Sequence, residues 1–446
     1  MTATDTPAAD RIVVVGAGMA GHRVAQQLAL HGTGREVVLL AEEDHAPYNR
    51  VLLAEVLAGR YAPEIAALAA LPPGVERRRA RVVRIDREQR QVLCDDGSAI
   101  AYGDLVLATG SNPVLPPLRG LFDDSPAVSG RGLPRNPRPR HELPRGVFAF
   151  RTMADCTDID GYLPGVRQAV VVGGGLLGVS AARALAARGV QVVLAHQGEH
   201  LMERHLDAEA GALLRRHLTD LGIEVHTECR VRSVLTEERT VTGVELADGF
   251  RLEADLLVVA VGVRPRTGLA EAAGLETRRG VVVDDRLRTT DPHIHAVGDC
   301  AEHRGVLYGL AGPAQEQADA LARRLAGAGG ADYAGSRLLT RLTLTGTAGS
   351  ATAGPLDLAA FGETAPSAPE DRVIRLADAA RGTYRKVIVR RDGEGGDRLV
   401  GGVLLGDLTT VGTLAHTWEG DEALSAHPLH LLTATTLGST IPGGTR

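Results

Sequence analysis

Two short runs of glycine carry the strongest chemical signal in this sequence. In RIVVVGAGMAGHRVAQQLALHG, residues 11–32, Gly16, Gly18 and Gly21 fall at GxGxxG spacing, and AVVVGGGLLGVSAARALAARGV, residues 169–190, repeats the spacing with Gly173, Gly175 and Gly178. A lone run of this kind is a weak signal, because glycines at turns are common. Here each run has an apolar strand pattern directly before it and an alanine-rich helical pattern directly after it, the context the spacing needs to hold a pyrophosphate. The first glycine of each run permits a tight turn, the second lets the backbone approach the phosphates, and the third lets the helix pack closely on the strand. The following helix turns unpaired N–H groups and its positive dipole end toward the phosphates. Two such loops imply two dinucleotides, or one long electron path.

Other segments add polar groups at strand ends. In EVVLLAEEDHAPYNR, Glu42 stands just past the apolar run, about 20 residues beyond the glycines, where a carboxylate can bind an adenosine ribose; the alternative is a solvated loop acid. Arg50 closes this segment, either as a cofactor-contacting cation or as a structural partner of Glu42 or Glu43. YGDLVLATGSNP is a strand pattern ending in the small-residue turn at Thr109 and Gly110, and HIHAVGDCAEH is another ending in Gly298 and Asp299. His293 and His295 alternate along that strand, so a metal-ligand role is not needed to explain them.

The elements that must position these groups are bounded by length and composition. The chain has 446 residues, enough for about three domains. A net charge of -6 and a pI near 6.2 argue against a nucleic-acid partner, and the sequence contains nothing like a transmembrane run or a signal peptide. The polar start MTATDTPAAD leads us to expect a cytoplasmic protein. Cys94, Cys156, Cys229 and Cys300 are far apart and form no CxxC pair, so neither a disulfide framework nor a zinc cluster is expected. No metal site is expected.

In this order the segments resemble the FAD-dependent pyridine nucleotide-disulfide oxidoreductase family related to glutathione reductase. The closer resemblance is to the N-terminal flavoprotein part of the NAD(P)H nitrite reductase large subunit, carried by EEDHAPYNRVLLAEVLAG, GGGLLG, LMERHLDAEAGALL, AVGVRP, GDCAEHRGVLYGLAGPAQEQA, GTYRKVIVRRDG and LVGGVLLGD. The resemblance implies an α/β fold with two Rossmann-like dinucleotide-binding domains and a C-terminal α+β interface domain. It implies FAD at the first glycine loop, Asp299 on the ribityl chain, and NADH or NADPH at the second loop, whose domain VVAVGVRPRTGLA closes with Gly262. Hydride would pass from nicotinamide to flavin, and the helix expected near Pro313 would point its N-terminus at the flavin. The motif order then gives an FAD domain at 1–118 and 270–330, a Pro/Arg-rich insertion at 119–145, an NAD(P)H domain at 146–269 and an interface domain at 336–446.

Departures from the family narrow the chemistry. The redox cysteines of its disulfide reductases, peroxidases and oxidases have no counterpart here, and no catalytic side chain is assigned. Ser180 replaces a glutamate usual near the nicotinamide, and ferredoxin and rubredoxin reductases usually have a lysine near Glu55, which leaves Arg50 as the only nearby candidate for a flavin-contacting cation. His196 stands where a ribose-binding acid is common, so NADH versus NADPH stays open, with a lean to NADH. Nitrite reductase subunits of this type continue into a cysteine-bearing 2Fe–2S segment and a sirohaem domain, whereas this sequence ends at Arg446, so nitrite reduction on this chain is not expected. The expected function is NAD(P)H-dependent FAD electron transfer to a separate acceptor protein, a sirohaem or molybdenum reductase in nitrite or nitrate reduction. The alternatives are a ferredoxin or rubredoxin reductase and a low-turnover flavin-binding redox sensor. A homodimer through the last domain is compatible with the family. The 119–145 insertion is read as a solvated loop in preference to a docking surface for an acidic carrier.

Overall fold

Strands covered by helices on both faces read as unbroken apolar runs rather than as alternating ones. The strands Arg11–Val15 (RIVVV), Glu36–Ala41 (EVVLLA) and Asp104–Leu107 (DLVL) are such runs. In the computed structural model, which describes residues 10–122, 143–345, 354–378, 380–391, 396–421, 423–424 and 427–433, they lie at the centre of a five-stranded sheet. The order is Ile294–Ala296, Asp104–Leu107, Arg11–Val15, Glu36–Ala41, Val75–Arg79, and every pairing is parallel. Val15 is in register with both Leu40 and Leu107, and Leu107 with Ala296, so the carboxyl ends finish level. Gly16, Glu42, Thr109 and Gly298 therefore leave the sheet along one end, where open α/β sheets take their ligands. The outer strand, VERRR, carries exposed arginines, which discourage edge-to-edge pairing.

The helices Met19–Leu30 and Ala311–Leu325 pack beside this sheet and are tied by Arg23, whose guanidinium grips Asp319 at 2.6 and 3.0 Å. Ile12, Val14, Leu28, Leu105, Ile294 and Leu321 belong to the core they share. The expected helix near Pro313 is thus present, starting two residues earlier at Ala311.

The chain divides into two compact units. One comprises Met1–Ala169, Arg232–Glu245 and Arg251–Ser336, and the other Val170–Val231, Leu246–Phe250 and Arg337–Arg446. The first holds the sheet just described. It also anchors the flanks of the 119–145 insertion, since Arg119 bridges to Ser233 and Arg145 to Thr240. The expectation of a loop falls mostly on residues 123–142, which lie outside the described residues.

In the second unit the strands Glu224–His226, Gln191–Ala195 and the Val170–Val172 part of Gln168–Val172 lie side by side, with the helices Leu176–Ala187 and Ala208–Asp220. Its C-terminal part is an antiparallel sheet in the order Leu339–Leu344, Leu356–Gly362, Asp397–Leu405, Thr383–Arg391, Asp371–Asp378. Phe361, Val387, Leu404, Leu414, Trp418 and Leu432 form the core between that sheet and the helices Val411–Gly420 and Leu429–Thr433. Among the described residues no helix is long and apolar enough to cross a membrane.

Candidate functional site

The first glycine loop is fixed by contacts that leave one face of its backbone open. Gly16 adopts φ +105°, and a Cβ there would stand 2.2 Å from the Ala108 carbonyl oxygen. A Cβ at Gly21 would stand 1.9 Å from the Gly16 carbonyl oxygen, so the helix is pressed against the turn with no room for a side chain. Gly18 differs: a Cβ there meets nothing within 4 Å. Gly18 is also the N-cap of Met19–Leu30 and supplies no side-chain cap, so the first N–H groups of the helix face open space. That is the shape and polarity a pyrophosphate requires.

Asp299 lies in the short turn Gly298–Cys300. Gly298 adopts φ +75°, its N–H donates to Gln317 at 2.7 Å, and a Cβ there would press on Ala20 at 2.9 Å. The Asp299 carboxylate accepts hydrogen bonds from Ser111 Oγ at 2.9 Å and from the Arg151 guanidinium. Arg151 also donates to Ser111 Oγ at 2.8 Å, and burial lowers its pKa, with Asp299 opposing that shift. Thr109 Oγ1 donates to the Arg266 carbonyl at 3.1 Å, and Gly110 has φ +73°.

Of the two neighbouring acids, Arg50 pairs with Glu43. Its guanidinium bonds the Glu43 carboxylate, donates to the Arg151 carbonyl at 2.9 Å, and lies 5.1 Å from the Tyr48 ring centroid. Tyr48 donates its hydroxyl to Glu43 at 2.7 Å and accepts from the Met153 N–H at 3.0 Å. Burial opposes the charge on Glu43, yet Arg50 and Tyr48 together hold its carboxyl below the ordinary range. Glu42 is exposed at the end of its strand and pairs with Arg266 at 2.8 Å and Arg81 at 3.6 Å.

The second loop repeats the first in outline. Gly173 adopts φ +115° and its N–H donates to the Ala195 carbonyl at 2.8 Å. Gly175 caps Leu176–Ala187 without a side-chain bond, and a Cβ there meets nothing within 4 Å. Gly178 is buried in the first turn. His196 uses Nδ1 to accept the Gly174 N–H at 3.1 Å, and burial pushes its pKa down, so the ring is neutral and bound to the loop itself. Ser180 is buried and donates to the Leu176 carbonyl at 2.7 Å, which turns its hydroxyl into the helix. Gly262, in the first unit, has φ +123° and no neighbour within 4 Å of a Cβ, and its carbonyl accepts from Val114.

The sequence alone did not single out Arg151, Ser111 or Tyr48. FAFRTMAD held a usable signal, because Thr152 and Asp155 form a capping box that fixes where Arg151 leaves the helix start. The cysteines are unpaired thiols, and three are buried. Burial pushes Cys156 up to about 12 and raises Cys300 as well, which disfavours the thiolate at both. Among the described residues no His, Cys, Asp and Glu cluster could hold a metal.

The sequence profile of the pyridine nucleotide-disulphide oxidoreductases matches residues 10–318. The chain belongs to this family. It is 34% identical over 403 residues to a nitrite reductase [NAD(P)H] of Bacillus subtilis (strain 168), covering 89% of this chain and 46% of that one. It is 32% identical over 403 residues to the assimilatory nitrate reductase electron transfer subunit of the same organism, with 89% and 48% covered. The chain thus spans about half the length of these curated relatives. Among solved structures, a ferredoxin reductase from Rhodopseudomonas palustris superposes with a TM-score of 0.74 at 28% identity, covering 89% of this chain and 91% of that one. The open glycine loops and uncapped helix starts fit the pyrophosphates of two dinucleotides.

Proposed function

We propose that this flavoprotein passes electrons from NADH or NADPH through FAD to a separate acceptor protein, a sirohaem or molybdenum reductase in nitrite or nitrate reduction. The observation that carries the reading is the pair of glycine loops, each with an uncapped helix start and open space at its second glycine. Similarity to the nitrite reductase and to the nitrate reductase electron transfer subunit supports the choice of acceptor.

When bound, FAD and the nicotinamide dinucleotide supply the electron transfer itself, the flavin releasing electrons singly or in pairs. The chain's residues hold and orient them. Gly16, Gly18 and Gly21 take the FAD pyrophosphate, Glu42 the adenosine ribose, and Asp299 the ribityl hydroxyls. Thr109 and Gly110 form the small turn beside Asp299, and Gly298 brings it close to the first helix. Arg50 and Arg151 contribute positive charge on the same side. The N-terminus of Ala311–Leu325, which also lacks a side-chain cap, offers its dipole to an electron-rich ring. Gly173, Gly175 and Gly178 take the pyrophosphate of the nicotinamide dinucleotide, and Gly262 is a further cofactor-binding glycine. The same reading puts the protein in the cytoplasm and makes the C-terminal antiparallel sheet a homodimer interface.

A second reading, a reductase for a ferredoxin or rubredoxin, is favoured by the near-complete mutual coverage with the ferredoxin reductase structure. A head-to-head assay separates them. NADH-driven reduction by the FAD-loaded protein is measured with a sirohaem nitrite reductase, a molybdenum nitrate reductase, a ferredoxin and a rubredoxin as acceptors. The first reading expects kcat/KM to be highest for one of the two reductases; preference for an iron–sulfur carrier supports the second.

A further inference from the structure

The chain has 49 lysine and arginine residues, and Lys386 is its single lysine. A sequence so committed to arginine retains an ammonium at one place, and that place is buried. Lys386 lies on Thr383–Arg391 and is 5% exposed. Its Nζ donates to Asp207 Oδ2 and, at 2.6 Å, to the Thr364 carbonyl. Tyr384, two residues earlier on the same face of the strand, donates its hydroxyl to the same carboxylate oxygen at 2.8 Å. A compact ammonium suits a narrow buried acceptor pair, whereas a planar five-donor guanidinium does not.

Asp207 leads back to the second glycine loop. Its Oδ1 caps Ala208–Asp220 by accepting the Ala210 N–H at 2.9 Å. Just before it, the N–H groups of His205 and Leu206 both donate to the Met202 carbonyl, and His200 Nε2 pairs with the Leu206 carbonyl at 3.0 Å. Met202 is buried at φ +53°, a conformation that side chains other than glycine hold only where the surroundings over-determine it. Its N–H donates to the Gly174 carbonyl at 2.9 Å, while the Gly174 N–H is taken by His196. A Cβ at Gly174 would also strike His196 and Leu201, each at 2.6 Å. Both backbone polar groups of Gly174 are therefore held by a segment whose far end is anchored on Lys386.

We propose that Lys386, acting through Asp207, is a positioning residue that holds the second glycine loop in the form that accepts the pyrophosphate of NADH or NADPH. This rests on the reading of residues 173–178 as the nicotinamide dinucleotide site. Lys386 and Asp207 act through the backbone that they fix.

The test uses the FAD-loaded protein with Lys386→Met, Lys386→Arg, Asp207→Asn and Tyr384→Phe. Asparagine still caps the helix but loses the charge facing Lys386. NAD+ binding is measured by calorimetry, and hydrogen exchange is followed at the amides of Gly174 and Met202. Lys386→Met is expected to weaken NAD+ binding roughly tenfold and to raise KM for NADH in proportion, with kcat and flavin content little changed. Protection at the two amides should fall as well. Asp207→Asn and Tyr384→Phe should shift the same readouts the same way by less, and Lys386→Arg should behave as Lys386→Met. Selective nitrogen-15 lysine labelling gives one side-chain signal, which NAD+ should shift. Wild-type affinity and wild-type protection in Lys386→Met and Asp207→Asn would overturn the proposal. If Lys386→Met does not fold, Asp207→Asn and Tyr384→Phe decide. Gly175→Val is the control: if it too leaves NAD+ binding intact, the reading of the loop has failed, and if it alone abolishes binding, only the role of Lys386 has failed.

Discussion

Gly18 and Gly21 sit three residues apart in one loop, and the same substitution at each should have opposite consequences. A methyl group at Gly21 would lie 1.9 Å from the Gly16 carbonyl oxygen, whereas ordinary C···O contacts begin at about 3.3 Å. The helix would have to lift from the turn by about an ångström, and overpacking of that kind costs roughly 1–3 kcal/mol. At Gly18 the added methyl meets nothing, and φ -69° with ψ -175° suits alanine. There the reduced entropy of the unfolded chain stabilises by about 0.4–1 kcal/mol, offset by a weaker N-cap, so the apoprotein should change by about 0.5 kcal/mol at most. The methyl would, however, occupy the space through which the backbone approaches the phosphates. Hydrogen bonds to charged groups contribute about 1.5–3 kcal/mol, so FAD affinity should fall roughly 10- to 150-fold. Urea denaturation of the apoproteins and fluorescence titration with FAD measure both quantities. Wild-type FAD affinity in Gly18→Ala, or wild-type stability in Gly21→Ala, would refute the assignment.

Further outcomes follow from the same geometry. Asp299→Ala leaves the Arg151 guanidinium without its acid, and because the two side chains are 16% and 18% exposed the loss should be about 2–4 kcal/mol with poorer flavin retention. Adding Arg151→Met should recover part of it, and strictly additive losses in urea would rule out the pairing. A variant with all four cysteines changed to alanine should, once folded, still reduce ferricyanide with NAD(P)H; loss of that activity with flavin bound would restore a role for a thiol. Burial holds His22, His196, His205 and His217 below the ordinary histidine range. The unfolded chain therefore takes up protons first as pH falls through about 6.5, so stability rises with pH in that window and the urea midpoint at about pH 5.5 should lie below that at about pH 7.5. A midpoint that is flat or higher at the lower pH would contradict the burial of these rings.

Much of the nucleotide-binding framework was legible because it depends on local rules. The glycine spacings, the apolar strands before them and the helices after them are fixed within about 20 residues, and the parallel sheet follows from their order. In the C-terminal sheet, Leu356–Gly362 and Asp371–Asp378 were not legible as strands. LDLAAFG is buried along most of its length, and DRVIRLAD is exposed along most of its own at the sheet edge, so neither shows a clean period of two. The polar clusters were hidden for another reason. Arg151 and Asp299 are 148 residues apart and Lys386 and Asp207 are 179 apart, and nothing in the chain pairs them before the fold does. Ser180 and His196 were visible as departures, but their consequence depended on where the side chains turned. Ser180 bonds its own helix and His196 its own glycine loop.

The most direct test is anaerobic stopped-flow mixing of the FAD-loaded protein with NADH and, separately, NADPH. At least one nucleotide is expected to bleach the flavin, and Gly175→Val, whose Cβ meets nothing within 4 Å in the folded protein, should abolish bleaching while FAD stays bound. Failure of both nucleotides to reduce the flavin of the unmodified protein would contradict its assignment as an electron-transfer reductase.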